Sequence, residues 1–226
     1  DVYKRQVPQE PNFDTTKIFK MDVVISIADE SHLKYTEEIS ILMAEAAKAR
    51  GTGIAERTSE YLVLKIQQGK AVIALRNEAL AGFCYIESWG HEQYVANSGL
   101  IVHPSFRRTG LAKKIKQKIF ELSRKKYPNA KIFGITTSLA VMKINSELGD
   151  KPVTFSELTT DESFWKGCQS CQNYDILQRT KKSHCLCTGM LYHPEKTKES
   201  NGNGKRWERF KNFLKRNASK KFNNEK

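Results

Sequence analysis

A cluster of cations surrounds one glycine in the middle of the sequence. In the segment FRRTGLAKK the spacing is Arg107-x-x-Gly110-x-Ala112, and Lys113 and Lys114 follow at once. Amide groups at the start of a helix attract anions, and a glycine lets the backbone approach an anion closely. Lysines are unfavourable for the dipole at a helix start, so these two indicate a bound polyanion. A solvated basic helix with a glycine entry is the alternative interpretation.

Four of the five cysteines lie close together in the C-terminal third of the sequence. They form two pairs, Cys168-x-x-Cys171 and Cys185-x-Cys187, with thirteen residues between them. Four thiolates from two short pairs can close a tetrahedral zinc site, and a closed site is structural because no position remains for a substrate. A disulfide or redox role is the alternative, although CxC is a poor spacing for an internal disulfide. We predict a structural zinc in a zinc-knuckle-like insert, 167–188, that holds the last hairpin.

A second set of cations lies between two predicted helices. The segment KARGTGIAER contains Lys48, Arg50 and Arg57. A guanidinium can bind a carboxylate through two hydrogen bonds, so the segment suits a small substrate with carboxylates. The same residues also suit a helix end, where cations and glycine are favoured. Both interpretations can hold at once.

Strands and helices alternate around these segments. An apolar strand at 23–28 precedes a helix at 31–47, and Thr58-Ser59-Glu60 starts a second helix. The later predicted elements are a β-hairpin (71–75 and 80–87), strand 95–102, helix 110–126, strand 131–137, helix 139–148 and strand 152–155. This order predicts an α/β fold with a mixed sheet and helices on both faces.

The positive charge is concentrated at the C-terminal end. The net charge is +13, and residues 193–226 hold eleven Lys and Arg against four Asp and Glu, which is +7. This tail suits an anionic membrane, RNA, a partner groove or a solvated appendage.

We divide the chain into a non-native or disordered extension (1–20), one domain (21–192) and a basic, largely disordered or short-helical tail. No membrane span or signal peptide is apparent, so we expect a cytoplasmic protein.

The strand, the Arg-x-x-Gly-x-Ala segment and the following helix together resemble the pyrophosphate loop of the GNAT acyltransferases. The resemblance extends over 23–192 and implies a mixed, mostly antiparallel sheet, with acetyl-CoA or succinyl-CoA as co-substrate. It implies that pantetheine lies between VANSGLIV and KIFGITT, and that main-chain N–H groups near Ile101 and Val102 hold the thioester oxygen. The residues that it assigns to the coenzyme are Leu100, Ile101, Val102, Arg107, Arg108, Thr109, Gly110, Leu111, Ala112, Lys113 and Asn145.

The implied acyl transfer needs a base for the acceptor ammonium, and an acid can assist the leaving thiolate. Many family members place a tyrosine, as acid, where this chain has Asn145, which cannot donate a proton as an acid. Tyr85 or Tyr94 can replace that tyrosine, or the thiolate leaves unassisted. Glu87 is the first candidate for the base and His91 is the second, each acting through water.

Further segments, among them KARGTGIAERT, AGFCYIESWGH and KPVTFSELTTDESFWKGC, resemble a bacterial subgroup linked to arginine biosynthesis, the N-acetylglutamate or N-acylglutamate synthases. The resemblance implies glutamate as the acceptor and Arg50 and Arg57 as its carboxylate ligands. It also implies an aromatic residue where this chain has Asp150.

A GNAT enzyme acting on a protein or tRNA and a zinc-ribbon nucleic-acid-binding protein are the alternatives. We expect coenzyme A and a small amine as partners, without nucleic acid; a homodimer is compatible with the sequence.

Overall fold

A twisted sheet forms the centre of the computed structural model, which describes residues 23–50, 57–169, 171 and 173–194. Its strands in this part of the chain are β1 (Val24–Ile27), β2 (Ala71–Arg76), β3 (Ala79–Trp89), β4 (Tyr94–Val102), β5 (Lys131–Thr136), β6 (Lys151–Val153) and β7 (Thr188–Tyr192). They lie in the order β1-β2-β3-β4-β5-β7-β6. Strands β4 and β5 are parallel, and the other neighbours are antiparallel. The expected mixed, mostly antiparallel sheet is confirmed.

The helices follow the predicted pattern over most of the described chain. They are α1 (Thr36–Arg50), α2 (Ser59–Gln67), α3 (Leu111–Lys126), α4 (Leu139–Glu147), α5 (Glu162–Lys166) and α6 (Tyr174–Arg179). Helix α2 begins where predicted because the Thr58 side chain accepts the N–H of Tyr61. The strand predicted at 152–155 ends at Val153, because Thr154 and Glu157 cap a 3-10 turn that takes Phe155 out of the sheet.

Different elements cover the two faces of the sheet. Helix α3 buries Ile115 and Ile119 against one face, and α1 and α2 bury Ile39 and Leu62 against the first half of the other. The second half of that other face is covered by the segment 154–187, which packs Trp165 against the sheet residues Ala96, Phe133 and Leu191. The segment 154–187 therefore forms a lobe facing α1 and α2 across the middle of the sheet.

Two irregularities open the sheet along β4. Phe83 pairs with Ile101 but Tyr85 pairs with Ser98, so β4 carries one extra residue at Gly99–Leu100. Pairing between β4 and β5 covers only three residues of each strand and ends at Ala96. Beyond that point the two strands diverge, as the family resemblance implies.

Several expectations fall outside the described residues. The N-terminal extension (1–20), the segment 51–56 and the tail from residue 195 onward lie beyond them, as does the side chain of Arg50. Within the described ranges, no helix has the length and apolar character needed to cross a membrane.

Candidate active site

A cavity of about 450 Å³ lies where β4 and β5 diverge. Its lining includes the β4 segment 97–100 and the β5 segment 134–136. Helix α1 contributes Met43, and the start of α2 contributes Arg57 and Tyr61. The lobe 154–187 forms the opposite wall. The cavity thus joins a channel between two strands to a groove between two helices and the lobe.

Two of the residues assigned to the coenzyme line the channel. Leu100 lies at the extra residue of β4, and Asn145 of α4 is almost completely buried. Its amide nitrogen is 3.9 Å from the position that a Cβ would take on Gly134. Ile101 and Val102, by contrast, are paired with β3. On its other edge β4 has no pairing with β5 beyond Ala96, so main-chain groups from 97 to 102 that point to that side can face a ligand.

The loop before α3 has the geometry of an open anion site. Gly110 is the residue before the helix, has φ of +79°, and makes no side-chain cap for the first N–H groups. Arg108 also has a positive φ, of 64°. The first turn of α3 contains no acidic residue, and a Cβ added to Gly110 would meet nothing within 4 Å. The helix start therefore keeps its positive dipole end uncompensated by its own side chains.

Two contacts fix this loop to its surroundings. Arg107 Nε donates to the main-chain oxygen of Val102 at 3.2 Å, which ties the loop to the end of β4. Thr109 Oγ1 donates to the oxygen of Phe106 at 2.7 Å. Lys113 forms an exposed ion pair with Glu147 of α4 at 2.7 Å, so its charge also serves the contact between two helices.

A network of polar and aromatic side chains lies at the other end of the cavity. Arg57 Nε donates to the hydroxyl of Tyr85 at 3.0 Å, and the guanidinium lies 5.0 Å from the ring centre of Tyr61. Lys65 Nζ lies 2.7 Å from Oε2 of Glu87, with 13% and 12% of the two side chains exposed. Arg57, Tyr85 and Glu87 all line the cavity. An amine and a carboxylate of one small molecule could contact Glu87 and Arg57 at once.

Burial perturbs the titration of this network. Desolvation raises the pKa of Glu87 to about 7, and the nearby Arg57 charge acts in the opposite direction. Desolvation lowers the pKa of Lys65 to about 8, helped by the charges of Lys70 and Arg57. Burial also raises the pKa of Tyr85. A carboxyl group that titrates near neutral pH has the property expected of a general base or acid.

The other predicted catalytic and acceptor residues lie elsewhere. His91 and Tyr94 line a second cavity with Lys126, Tyr127 and the neighbouring turn, because the tight turn between β3 and β4 carries them past the end of the first cavity. Lys48 is exposed on α1 and is outside the lining of the first cavity. Among the described residues, the structure therefore brings together Glu87, Arg57 and Tyr85 of the predicted catalytic and acceptor set.

The four clustered cysteines occupy the lobe wall of the same cavity. All are free thiols, and burial raises the pKa of Cys168 to about 11 and that of Cys187 to about 12. Across the described residues, no three His, Cys, Asp or Glu side chains form an arrangement that could hold a metal ion. The expected zinc knuckle is thus without structural support. The four cysteines Cys168, Cys171, Cys185 and Cys187 all line the cavity.

Asp150 lies buried at the end of α4, where the subgroup resemblance implies an aromatic residue. It is 7% exposed, and its Oδ1 has no hydrogen-bond partner among the described residues. Desolvation raises its pKa to about 7, against the opposing charge of Lys116. The altered packing expected at this corner therefore takes the form of a buried, poorly satisfied carboxyl group.

Sequence patterns missed two buried lysines of the site. Lys116 Nζ donates to the main-chain oxygen of Asn97 at 3.2 Å, at the first residue of β4 beyond its pairing with β5. Ser123 Oγ donates to Oδ1 of the same asparagine at 2.6 Å. Lys65 is the other. Each lysine lies beside the apolar positions of an amphipathic helix, where charge is expected at the boundary, so only the tertiary contacts reveal their partners.

The sequence model of the acetyltransferase (GNAT) family matches residues 37–141. This range spans α1 to the start of α4 and includes the open loop, the diverging strands and Glu87. The matched segment is 105 of the 226 residues, and it is similar in sequence to that family. A search of curated protein sequences found no match.

Several solved structures share the fold at low sequence identity. N-acetylglutamate synthase from Neisseria gonorrhoeae, complexed with coenzyme A and N-acetyl-glutamate, is 16% identical with a TM-score of 0.54. That similarity covers 76% of this chain but only 35% of the synthase. The Rv2747 protein from Mycobacterium tuberculosis, complexed with CoA, is 13% identical over 75% of this chain and 98% of its own, with a TM-score of 0.52. The yncA protein from Salmonella typhimurium, with acetyl-CoA, is 14% identical over 76% and 94%, with a TM-score of 0.53.

Proposed function

We propose that this enzyme transfers an acetyl or succinyl group from coenzyme A to the amine of a small acidic acceptor, and that the acceptor is glutamate. The observation that carries the proposal is the shared cavity: Glu87 and Arg57 line the same space as the diverging ends of β4 and β5. The Neisseria synthase, whose structure contains coenzyme A and N-acetyl-glutamate, has the same fold and supports this acceptor. A role in arginine biosynthesis is part of the proposal.

The donor binds along the loop and the channel. The open N-terminus of α3, with Arg107 and Arg108 beside it, receives the pyrophosphate. Pantetheine extends between β4 and β5 past Asn145, and the thioester oxygen meets main-chain N–H groups at the extra residue of β4. Preorganised donors of this kind contribute a factor of about 10² to 10³ to the rate of acyl transfer.

The acceptor reacts at the Glu87 end. Glu87 takes a proton from the acceptor ammonium, directly or through water, and the free amine attacks the thioester carbon. The C–N bond forms, the C–S bond breaks, and the coenzyme leaves as a thiolate that takes up a proton. Tyr85 lines the cavity whereas Tyr94 does not, which favours Tyr85 as the source of that proton. Arg57 binds the acceptor carboxylate.

The experiment is thiol release from acetyl-CoA and succinyl-CoA with a panel of amino acids, comparing the parent with Arg57→Ala. Hydrogen bonds to a charged group contribute about 1.5–3 kcal/mol, so the KM for glutamate should rise about 10- to 100-fold with a smaller change in kcat. Arg76→Ala is the matched control, because its guanidinium packs over Phe106, outside the cavity lining. That variant should keep the parental KM.

Two results would contradict the proposal. If no amino acid stimulates thiol release while coenzyme A still binds, the acceptor is a macromolecule such as a protein or tRNA. If a neutral amino acid is preferred and Arg57→Ala does not change its KM, the carboxylate role of Arg57 is wrong.

A further inference from the structure

The ion pair between Lys65 and Glu87 joins α2 to β3 at the edge of the cavity. The distance from Nζ to Oε2 is 2.7 Å, and both side chains are almost fully shielded from solvent. Glu87 also lines the cavity. The lysine thus holds one carboxylate oxygen of a residue that borders the space in which an acceptor would bind.

The surroundings of the pair contain few other charges. Lys65 faces Glu87 from α2, with its nitrogen 4.9 Å from the ring centre of Tyr61 and the charges of Arg57 and Lys70 nearby. Glu87 faces Lys65 and Arg57, and its neighbour across the strand pair is the uncharged Ala96. Arg57 already donates to the Tyr85 hydroxyl. Lys65 is therefore the cation in direct contact with the carboxylate.

We propose that Lys65 is a positioning residue for the general base: it holds Oε2 of Glu87 so that Oε1 faces the acceptor amine, and its charge keeps the carboxylate ionised. This inference rests on the proposed role of Glu87. A buried carboxylate without a partner would remain protonated well above neutral pH and would be unable to accept a proton. The lysine offsets that effect of burial without contacting the substrate.

The ion-pair geometry, with Nζ 2.7 Å from Oε2, carries the electrostatic as well as the orienting role. Burial raises the pKa of Glu87 to about 7, and the charge of Arg57 opposes that shift. An opposite charge in contact usually lowers a carboxyl pKa by about 1–3 units, so removing the lysine should raise the pKa of Glu87 further. A deprotonated base is required for catalysis, so activity should fall on the acidic side of this pKa.

The test is the pH dependence of kcat in Lys65→Met, which removes the charge but keeps an unbranched apolar side chain. The acidic limb of the profile should move to higher pH by about one unit or more, and kcat at pH 7 should fall at least several-fold. Lys65→Arg should restore the limb to within a few tenths of a unit. Lys70→Met is the matched control, because Lys70 adds charge nearby without contacting Glu87, and its limb should stay in place.

Glu87→Gln separates failure of this inference from failure of the proposed function. It should lower kcat by about 10²- to 10⁴-fold and remove the limb. If Glu87→Gln keeps parental activity, Glu87 is not the base. If Glu87→Gln is inactive but Lys65→Met leaves the acidic limb of the pH profile unchanged, Glu87 remains the base and the role of Lys65 is refuted. Should Lys65→Met not fold, carboxyl NMR titration of Glu87 in Lys65→Gln makes the same comparison, with an unchanged pKa refuting the inference.

Discussion

Gly99, at the extra residue of β4, should be intolerant of any side chain. Its φ is +63°, and a Cβ built there would lie 2.2 Å from Cε1 of Tyr85 and 3.2 Å from Cε of Met43. The Tyr85 ring is 1% exposed and its hydroxyl accepts from Arg57, so the ring cannot move aside freely. Gly110 provides a matched control, because its φ is +79° but a Cβ there would meet nothing within 4 Å.

The two glycines separate backbone strain from steric overlap. A left-handed conformation costs an alanine about 1–2 kcal/mol, which is the whole expected effect of Gly110→Ala on the free energy of unfolding. Displacing a buried ring adds about 1–3 kcal/mol, so Gly99→Ala should lose about 2–5 kcal/mol. Urea unfolding followed by circular dichroism measures both values.

A double variant tests the assignment to Tyr85. In a Tyr85→Ala background the overlap with the ring disappears, so Gly99→Ala should cost only the backbone term of about 1–2 kcal/mol. The resulting coupling energy should be about 1–3 kcal/mol. Equal losses for Gly99→Ala and Gly110→Ala, or an absence of coupling with Tyr85→Ala, would refute the close approach of β4 to the ring.

Two further predictions concern Asp150 and the cysteines. Burial raises the folded-state pKa of Asp150 from 3.8 to about 7. Between pH 4 and 7 the carboxyl group therefore ionises in the unfolded chain but stays protonated in the folded one, so the free energy of unfolding falls by up to about 4 kcal/mol as the pH rises. Asp150→Asn should therefore exceed the parent in free energy of unfolding by more at pH 8 than at pH 5; the opposite trend would mean that attraction to Lys116 outweighs burial. The spacing of Cys168, Cys171, Cys185 and Cys187 predicts one structural zinc, so metal analysis of the purified protein should find one zinc per chain, and a zinc-free protein with four reactive thiols would contradict that prediction.

Periodicity predicted most of the architecture. The alternation of strands and helices from Val23 to Leu148 is local, since each element is set by its own apolar spacing and its own caps, such as Thr58 before α2. The short helices α5 and α6 escaped this reasoning. They span five and six residues, too short for an amphipathic period to be recognised, and they form because the lobe packs Trp165 and Leu177 into its core.

The sequence by itself predicted the succession of strands and helices along the chain and the glycine loop before α3, because these depend on residue types at short separations. Only the tertiary structure decided which distant side chains meet. Glu87 and Lys65 are twenty-two positions apart, and their contact depends on how α2 packs over β3. The interruption of β4 at Gly99 depends on register between strands, and the cysteines reach the cavity because the lobe folds back over β5 and β7. Contacts of this kind arise from long-range packing, which no local pattern of residues specifies.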